Sequence, residues 1–197
     1  APQVEDHLAA HPARAVQQAS TVLFAVKPQG IPETLAQVAP VWRHDQLCIS
    51  ICAGIPIARF EQALGGGVAV IRTMPNTPAA VGMCVTALAR GPHATDQHLA
   101  TALNILSAVG RVVVVEESQM DAVTAVSGTG PAYVFLLAEA LIEAAMAEGL
   151  DREQAHLLVY QTFVGSAHLM QHDSAGPAEL RRRVTSPNGT THAAISH

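Results

Sequence analysis

The chain has 197 residues, 49% of them hydrophobic and 14% charged, with a formal net charge of -5. Against a usual charged share of about 25%, this leaves apolar surface even after a substantial core is buried, which predicts an oligomer. The acidic balance, without a long basic run, argues against nucleic acid and against an anionic membrane surface as main partners.

The opening stretch APQVEDHLAAHPARAVQQ mixes polar, acidic and basic residues, so no secretory signal is expected and a cytoplasmic location follows. Thr21 to Val26 is a continuous apolar run closed by Lys27-Pro28, suited to a parallel strand covered on both faces. Pro32 then opens a helix carrying Leu35, Val38, Ala39 and Trp42, and Leu47 to Cys52 is a second buried strand ending in Ala53-Gly54. Cys48 and Cys52 would lie about 13 Å apart on one face of that strand, too far to bond each other, and with Cys84 they read as reduced core thiols. Ile57 to Leu64 is a short helix and Gly65 to Gly67 a turn. Val68 to Ile71 is a third strand, running into the loop Met74 to Pro78. Cys84 to Ala89 is a fourth strand, Asp96 caps a helix with Leu99, Ala102, Leu103 and Leu106 on one face, and Val112 to Val115 is the last strand. Ser118 and Asp121 form the pattern of a capping box.

The remainder reads as helix and loop. Ser127 to Gly130 is a small-residue turn whose backbone something can approach closely, and Pro131 stands at a favoured first helical position. From Ala132 to Ala147 only Glu139 and Glu143 are charged, and Gly149 supplies a left-handed cap. A helix so apolar must be buried; the two glutamates and flanking glycines argue against a membrane span. Asp151 with Gln154 caps a further helix, with Ala155, Leu158, Thr162, Phe163, Ala167 and Met170 on one face. Ala178 to Val184 is a short helix whose Arg181, Arg182 and Arg183 form a solvated face. Thr185 to Thr191 is a second small-residue turn.

The fold class is therefore α/β, a Rossmann-like, mostly parallel sheet followed by an all-helical dimerisation domain, divided at 1–119 and 120–197. Ligands of such sheets lie at the carboxyl ends of the strands, where Lys27-Pro28, Ala53-Gly54 and Met74 to Pro78 fall. The G-x-G-x-x-G loop that receives a dinucleotide pyrophosphate does not occur, so either the cofactor is not a dinucleotide or the N-terminal part of the sheet is incomplete. The ten histidines are not spaced as ligands and no metal is expected.

The segments FAVKPQ (24 to 29), ISICAGI (49 to 55), VIRTMPNTP (70 to 78), DAVTAVSGTGPAYVF (121 to 135) and ELRRRVTSPNGTT (179 to 191) closely resemble the pyrroline-5-carboxylate reductase family in order and spacing. The resemblance implies reduction of L-1-pyrroline-5-carboxylate, a cyclic imino acid, to L-proline with NADPH or NADH. It also implies a homodimer interlocked through the helical domain, and by extension a ring of dimers. It assigns Thr124 to the imine nitrogen as the catalytic candidate, and Ser186, Asn188, Gly189, Thr190 and Thr191 to the substrate carboxylate. Val26, Lys27, Pro28, Ala53, Gly54, Asn76, Thr77 and Pro131 fall along the cofactor. This sequence departs from the family pattern in lacking the first strand and glycine loop, in having no further helix after the SPNGTT turn, and in placing Asn188 where the family has glycine. Asparagine tolerates a left-handed backbone, so that change is mild. Two other functions share the pattern. A related imine or hydroxy-acid reductase would need a lysine between 131 and 149, where none occurs; the other is a noncatalytic dimerising or binding protein.

Overall fold

The computed structural model describes residues 12–196; the first eleven residues of the stretch read as free of a secretory signal lie outside these. A short helix, α1 (Pro12–Gln18), precedes strand β1 (Thr21–Phe24). Its carboxyl end is closed by a buried polar side chain: Gln46 Nε2 donates to Val16 O and Ala19 O, each at 2.6 Å, while its Oε1 accepts the Arg43 N–H at 2.7 Å. The chain continues through α2 (Ile31–Val38), β2 (Leu47–Ser50), α3 (Ile57–Leu64), β3 (Ala69–Met74), β4 (Cys84–Arg90), α4 (Asp96–Ser107) and β5 (Gly110–Val114). Each expected strand is present. Trp42 lies just past a 3-10 turn rather than on α2, and its ring packs 6.1 Å from that of Phe24.

The sheet has the order β1-β2-β3-β4-β5. Pairings β1–β2, β2–β3 and β4–β5 are parallel, whereas β3–β4 is antiparallel, with Arg72 opposite Ala89. The link from Met74 to Cys84 is too short for a crossover, so β4 can only return beside β3 in the opposite sense. Successive strand residues point to opposite faces. Cys48 and Val70 join one core with Phe24, Ile31, Leu35 and Phe60 beneath the first helices; Ile49 and Ile71 join the other with Leu88, Ala102 and Leu106 beneath α4. Cys52 lies beyond the end of β2, not on it. The three cysteines are free and buried, and burial pushes the Cys48 and Cys52 thiols above their ordinary pKa.

Two caps differ from expectation. Thr95, not Asp96, caps α4: its Oγ1 accepts the His98 N–H at 3.3 Å, and His98 Nδ1 accepts the Thr95 N–H at 3.2 Å. Ser118 and Asp121 form no capping box. Glu116 and Gln119 take that place, with the Glu116 N–H donating to Gln119 Oε1 at 3.0 Å.

Beyond β5 the chain passes through a 3-10 turn, Glu117–Gln119, into α5 (Met120–Val123), a π-turn over Thr124–Gly128, and α6 (Gly130–Ala147). The expected small-residue turn before Pro131 is thus helical, and α6 does not begin afresh at the proline. By contacts the chain divides into a unit ending at Ala132 and one starting at Tyr133. This break lies later than 119/120 because Met120, 1% exposed, packs with Val115 and Val123 in the core below the sheet.

In the second unit α6 ends in the expected glycine cap. Gly149 has φ 98°, its N–H bonds Met146 O at 3.1 Å, and the Leu150 N–H bonds Ala145 O at 3.1 Å, the Schellman pattern. Asp151 and Gln154 cap α7 (Arg152–His172) reciprocally, at 2.8 and 3.2 Å. The helices meet through Ile142, Ala155, Val159 and Phe163. Leu158 and Met170, expected on that seam, are exposed, because the packed positions are four apart and Leu158 points off the line. Within a single chain α6 buries only Ile142 and leaves Phe135, Leu136, Leu137 and Leu141 bare, so the burial expected of it requires another molecule. By length and composition alone, Glu117–Ala147 is apolar enough to cross a membrane. Helices α8 (Pro177–Arg183) and α9 (Thr190–Ile195) follow, and α9 begins at the two threonines of the SPNGTT turn.

Candidate active site

In the first unit, parallel strands β1, β2 and β3 release their loops side by side. After β1, Val26 and Lys27 are exposed and half-buried Pro28 opens a turn closed by the Gly30 N–H on Lys27 O at 2.8 Å. After β2, Ala53 and Gly54 are exposed, and Gly54 has φ 74°, a backbone shape that favours glycine. The Cys52 thiol reaches Phe24 O at 3.4 Å and Val26 O at 3.2 Å, and Thr73 Oγ1 donates to Ser50 O at 3.0 Å. Backbone carbonyls and small side chains thus tie the three strand exits together, leaving Lys27 and the Gly54 backbone turned to solvent.

The loop after β3 is held more tightly. The Asn76 N–H reaches Cys84 Sγ at 3.4 Å, and Asn76 Oδ1 accepts the Val85 N–H at 3.1 Å. Asn76 Nδ2 donates to Ser127 O at 3.2 Å, which joins this loop to the π-turn. Thr77 beside it is exposed. A second contact works by absence: a Cβ on Gly128 would lie 2.4 Å from Met74 Cε, so glycine lets the two segments close on each other.

The π-turn is defined by the Thr129 N–H, which bonds Thr124 O, five residues back, at 2.9 Å; Thr129 Oγ1 also bonds Thr124 O and Ala125 O, at 3.1 and 3.0 Å. Single π-turns inside α-helices occur often at functional sites. Thr124 Oγ1 donates to Met120 O at 2.8 Å, so the half-buried hydroxyl presents lone pairs rather than its proton to an incoming group. Pro131 lies about two helical turns past Thr124 and is also half-buried.

The remaining candidates belong to the second unit. Ser186 to Gly189 is a tight turn, with the Gly189 N–H on Ser186 O at 3.0 Å and Asn188 at φ 58°. A Cβ on Gly189 would meet Ser186 O at 3.2 Å, a tight approach, and Asn188 is among the few non-glycine residues that tolerate the left-handed backbone of this turn. Thr190 and Thr191 open α9. Just upstream, Glu179 binds Arg182 through two contacts of 2.7 Å, and Arg183 bridges Glu179 at 3.2 Å and Asp173 at 2.7 Å. The Ala175 N–H and Arg183 hold the Asp173 carboxyl below its ordinary range, and Arg182 and Arg183 do the same for Glu179. The arginine run is solvent-facing, as expected, but two of its three charges are engaged.

The structure therefore brings Asn76 and the Thr124 turn into contact and sets Lys27 and Gly54 at neighbouring strand ends. Sequence reasoning missed Met74, the Ser127 carbonyl and the Met120 carbonyl. The small side chain of Gly128 signalled a close approach without naming what approaches.

Residues 117–197 match the family model described as pyrroline-5-carboxylate reductase dimerisation. A pyrroline-5-carboxylate reductase of Pseudomonas aeruginosa is 46% identical over 93% of this chain and 67% of its own length, and one of Mycobacterium tuberculosis is 43% identical over 93% and 70%. The crystal structure of Plasmodium falciparum pyrroline carboxylate reductase with NADP bound superposes with a TM-score of 0.89 at 30% identity, covering 94% of this chain and 71% of that one. The chain spans about two thirds of the length of these relatives. Similarity of this extent, reaching across both units, shows that the chain belongs to the pyrroline-5-carboxylate reductase family.

Proposed function

We propose that this chain is a reductase subunit that converts L-1-pyrroline-5-carboxylate to L-proline, working as a homodimer, in the last step of proline biosynthesis. The observation that carries the reading is the Thr124 hydroxyl, which is fixed by Met120 O at 2.8 Å with its lone pairs free, in a turn tied to the loop at the end of β3. The reaction needs no metal. A protonated cyclic imine already accepts hydride at carbon, so the protein has to orient it, hold its carboxylate and exclude water. Thr124 Oγ1 accepts the imine N–H and sets the ring plane. It keeps this bond as the nitrogen becomes an amine, while its own proton stays on Oγ1, donated to Met120 O.

The Ser186 to Thr191 turn takes the carboxylate, through backbone N–H groups of Asn188, Thr190 and Thr191 and the hydroxyls of Ser186 and Thr191. The open backbone turns at Val26-Lys27-Pro28, Ala53-Gly54 and Asn76-Thr77 suit a dinucleotide laid across the strand ends, with Pro131 near its reactive ring, and the exposed Lys27 cation suits its charge. A nicotinamide cofactor, NADPH or NADH, supplies the hydride when bound. The NADP bound to the Plasmodium relative supports this assignment. The bare apolar face of α6 favours a second copy as its cover rather than a membrane, and dimers can assemble further into a ring. A reducing cytoplasmic setting fits the three free, buried cysteines.

The test is pyrroline-5-carboxylate-dependent NADPH oxidation by the full-length enzyme carrying this sequence. Thr124→Ala removes one hydrogen bond to a charged group, worth about 1.5–3 kcal/mol, and so lowers turnover by roughly 10- to 100-fold with the oligomer unchanged. Absence of turnover in the unsubstituted enzyme refutes the function; an unchanged rate in Thr124→Ala removes Thr124 from the mechanism.

A further inference from the structure

We infer that Asn76 is a positioning residue: its side-chain amide replaces a helical hydrogen bond that Pro131 deletes and thereby holds the Thr124 turn in register. The inference rests on the proposed reductase reading for its kinetic consequence, but its structural part stands alone. In an unbroken helix the carbonyl of Ser127 would accept the N–H of residue 131. That residue is proline, which has no N–H and whose ring crowds the carbonyl four residues back. A half-buried carbonyl left without a donor costs roughly 1–3 kcal/mol. Asn76 Nδ2 lies 3.2 Å from this oxygen and supplies the donor from outside the helix.

The amide is itself held from the other side. Asn76 Oδ1 accepts the Val85 N–H at 3.1 Å, and the Asn76 N–H and C=O lie 3.4 and 3.5 Å from Cys84 Sγ, so the donor is anchored to the start of β4. Met74 Cε, seated where a Cβ on Gly128 would be, closes the same joint. The anchored donor stands one helical turn after Thr124, within the π-turn whose Thr129 N–H bonds Thr124 O at 2.9 Å. Loss of the external donor frees Ser127 O to compete for neighbouring amides and lets the register slip. The Thr124 hydroxyl, bound to Met120 O, turns with it. The loop after β3 therefore sets the geometry of the substrate-facing threonine through one side chain.

The test uses Asn76→Asp, which keeps an acceptor for the Val85 N–H and loses the donor to Ser127 O. In the full-length enzyme we expect kcat/KM for the imine substrate to fall at least tenfold. Hydrogen exchange at the Thr129 amide should quicken at least tenfold while amides of Val70 and Leu88 are unchanged. Adding Pro131→Ala restores a backbone donor for Ser127 O, and the double variant should recover most of the Thr129 protection; should Asn76→Asp alone not fold, the double variant should fold. The inference is overturned if Thr129 exchange is unchanged, or if the double variant is no better protected or folded than the single one. An unsubstituted enzyme without turnover would defeat the reductase reading and still leave the exchange experiment to decide the role of Asn76.

Discussion

Leu136 offers a direct test of what covers α6. It is 65% exposed in the single chain, so its contribution to folding of one copy is small, whereas its contribution to an interface formed by α6 is large. Burying a whole leucine side chain is worth about 1.5–3 kcal/mol, so covering the exposed two thirds of it is worth roughly 1–2 kcal/mol per copy. A twofold interface holds the residue twice, which makes about 2–4 kcal/mol per dimer and, at 1.4 kcal/mol per decade, a rise in dimer Kd of roughly 30- to 700-fold for Leu136→Ala. Alanine is the best helix former, so α6 itself is not weakened. Sedimentation equilibrium over a dilution series measures the Kd, and thermal unfolding of the dissociated species measures the monomer. An unchanged Kd, or a monomer that melts many degrees lower, would show that Leu136 packs within its own chain and that the reasoning about α6 is wrong.

Gln46→Leu keeps the volume of a fully buried side chain but takes the acceptor from the Arg43 N–H, while Val16 O keeps the Ala19 N–H and Ala19 O keeps Arg43 Nη2. A loss of about 1–3 kcal/mol follows from the one unmet N–H, read as a lower urea midpoint at constant slope; an unchanged midpoint would contradict the capping role. The carboxyls of Asp173 and Glu179 are held below their ordinary values by hydrogen bonds and by Arg182 and Arg183. Their contribution is thus fully present above the ordinary carboxylate range and lost as pH falls through the lowered values. Amide protection in α8, corrected for intrinsic exchange, should fall on acidification from pH 6 towards 3, and pH-independent protection would exclude these pairs as what holds α8.

Much of this molecule can be read without coordinates. The apolar runs at Leu47 and Val68 become buried strands because every residue in them must face one of two helix layers, whereas β1, expected to be covered on both faces, buries only Phe24 and leaves Leu23 46% exposed. The Gly149 cap, the Asp151–Gln154 cap and the left-handed Asn188 follow from local chemistry that each residue carries by itself. The loops at the carboxyl ends, where Lys27, Gly54 and Asn76 stand, follow from the alternation of elements.

Other features depended on partners distant in sequence. Ser127 to Gly130 has the composition of a turn, yet it is helical, because Asn76 and Met74, some fifty positions earlier in the chain, complete what Pro131 and Gly128 leave open. The antiparallel return of β4 came from the length of a loop, and the seam of α7 from four-residue spacing that composition does not rank. Local chemistry, carried by side chains and their near neighbours, is written in the order of residues. The register of a helix against a loop is decided only when folding brings a donor within 3.2 Å of an otherwise unpartnered carbonyl.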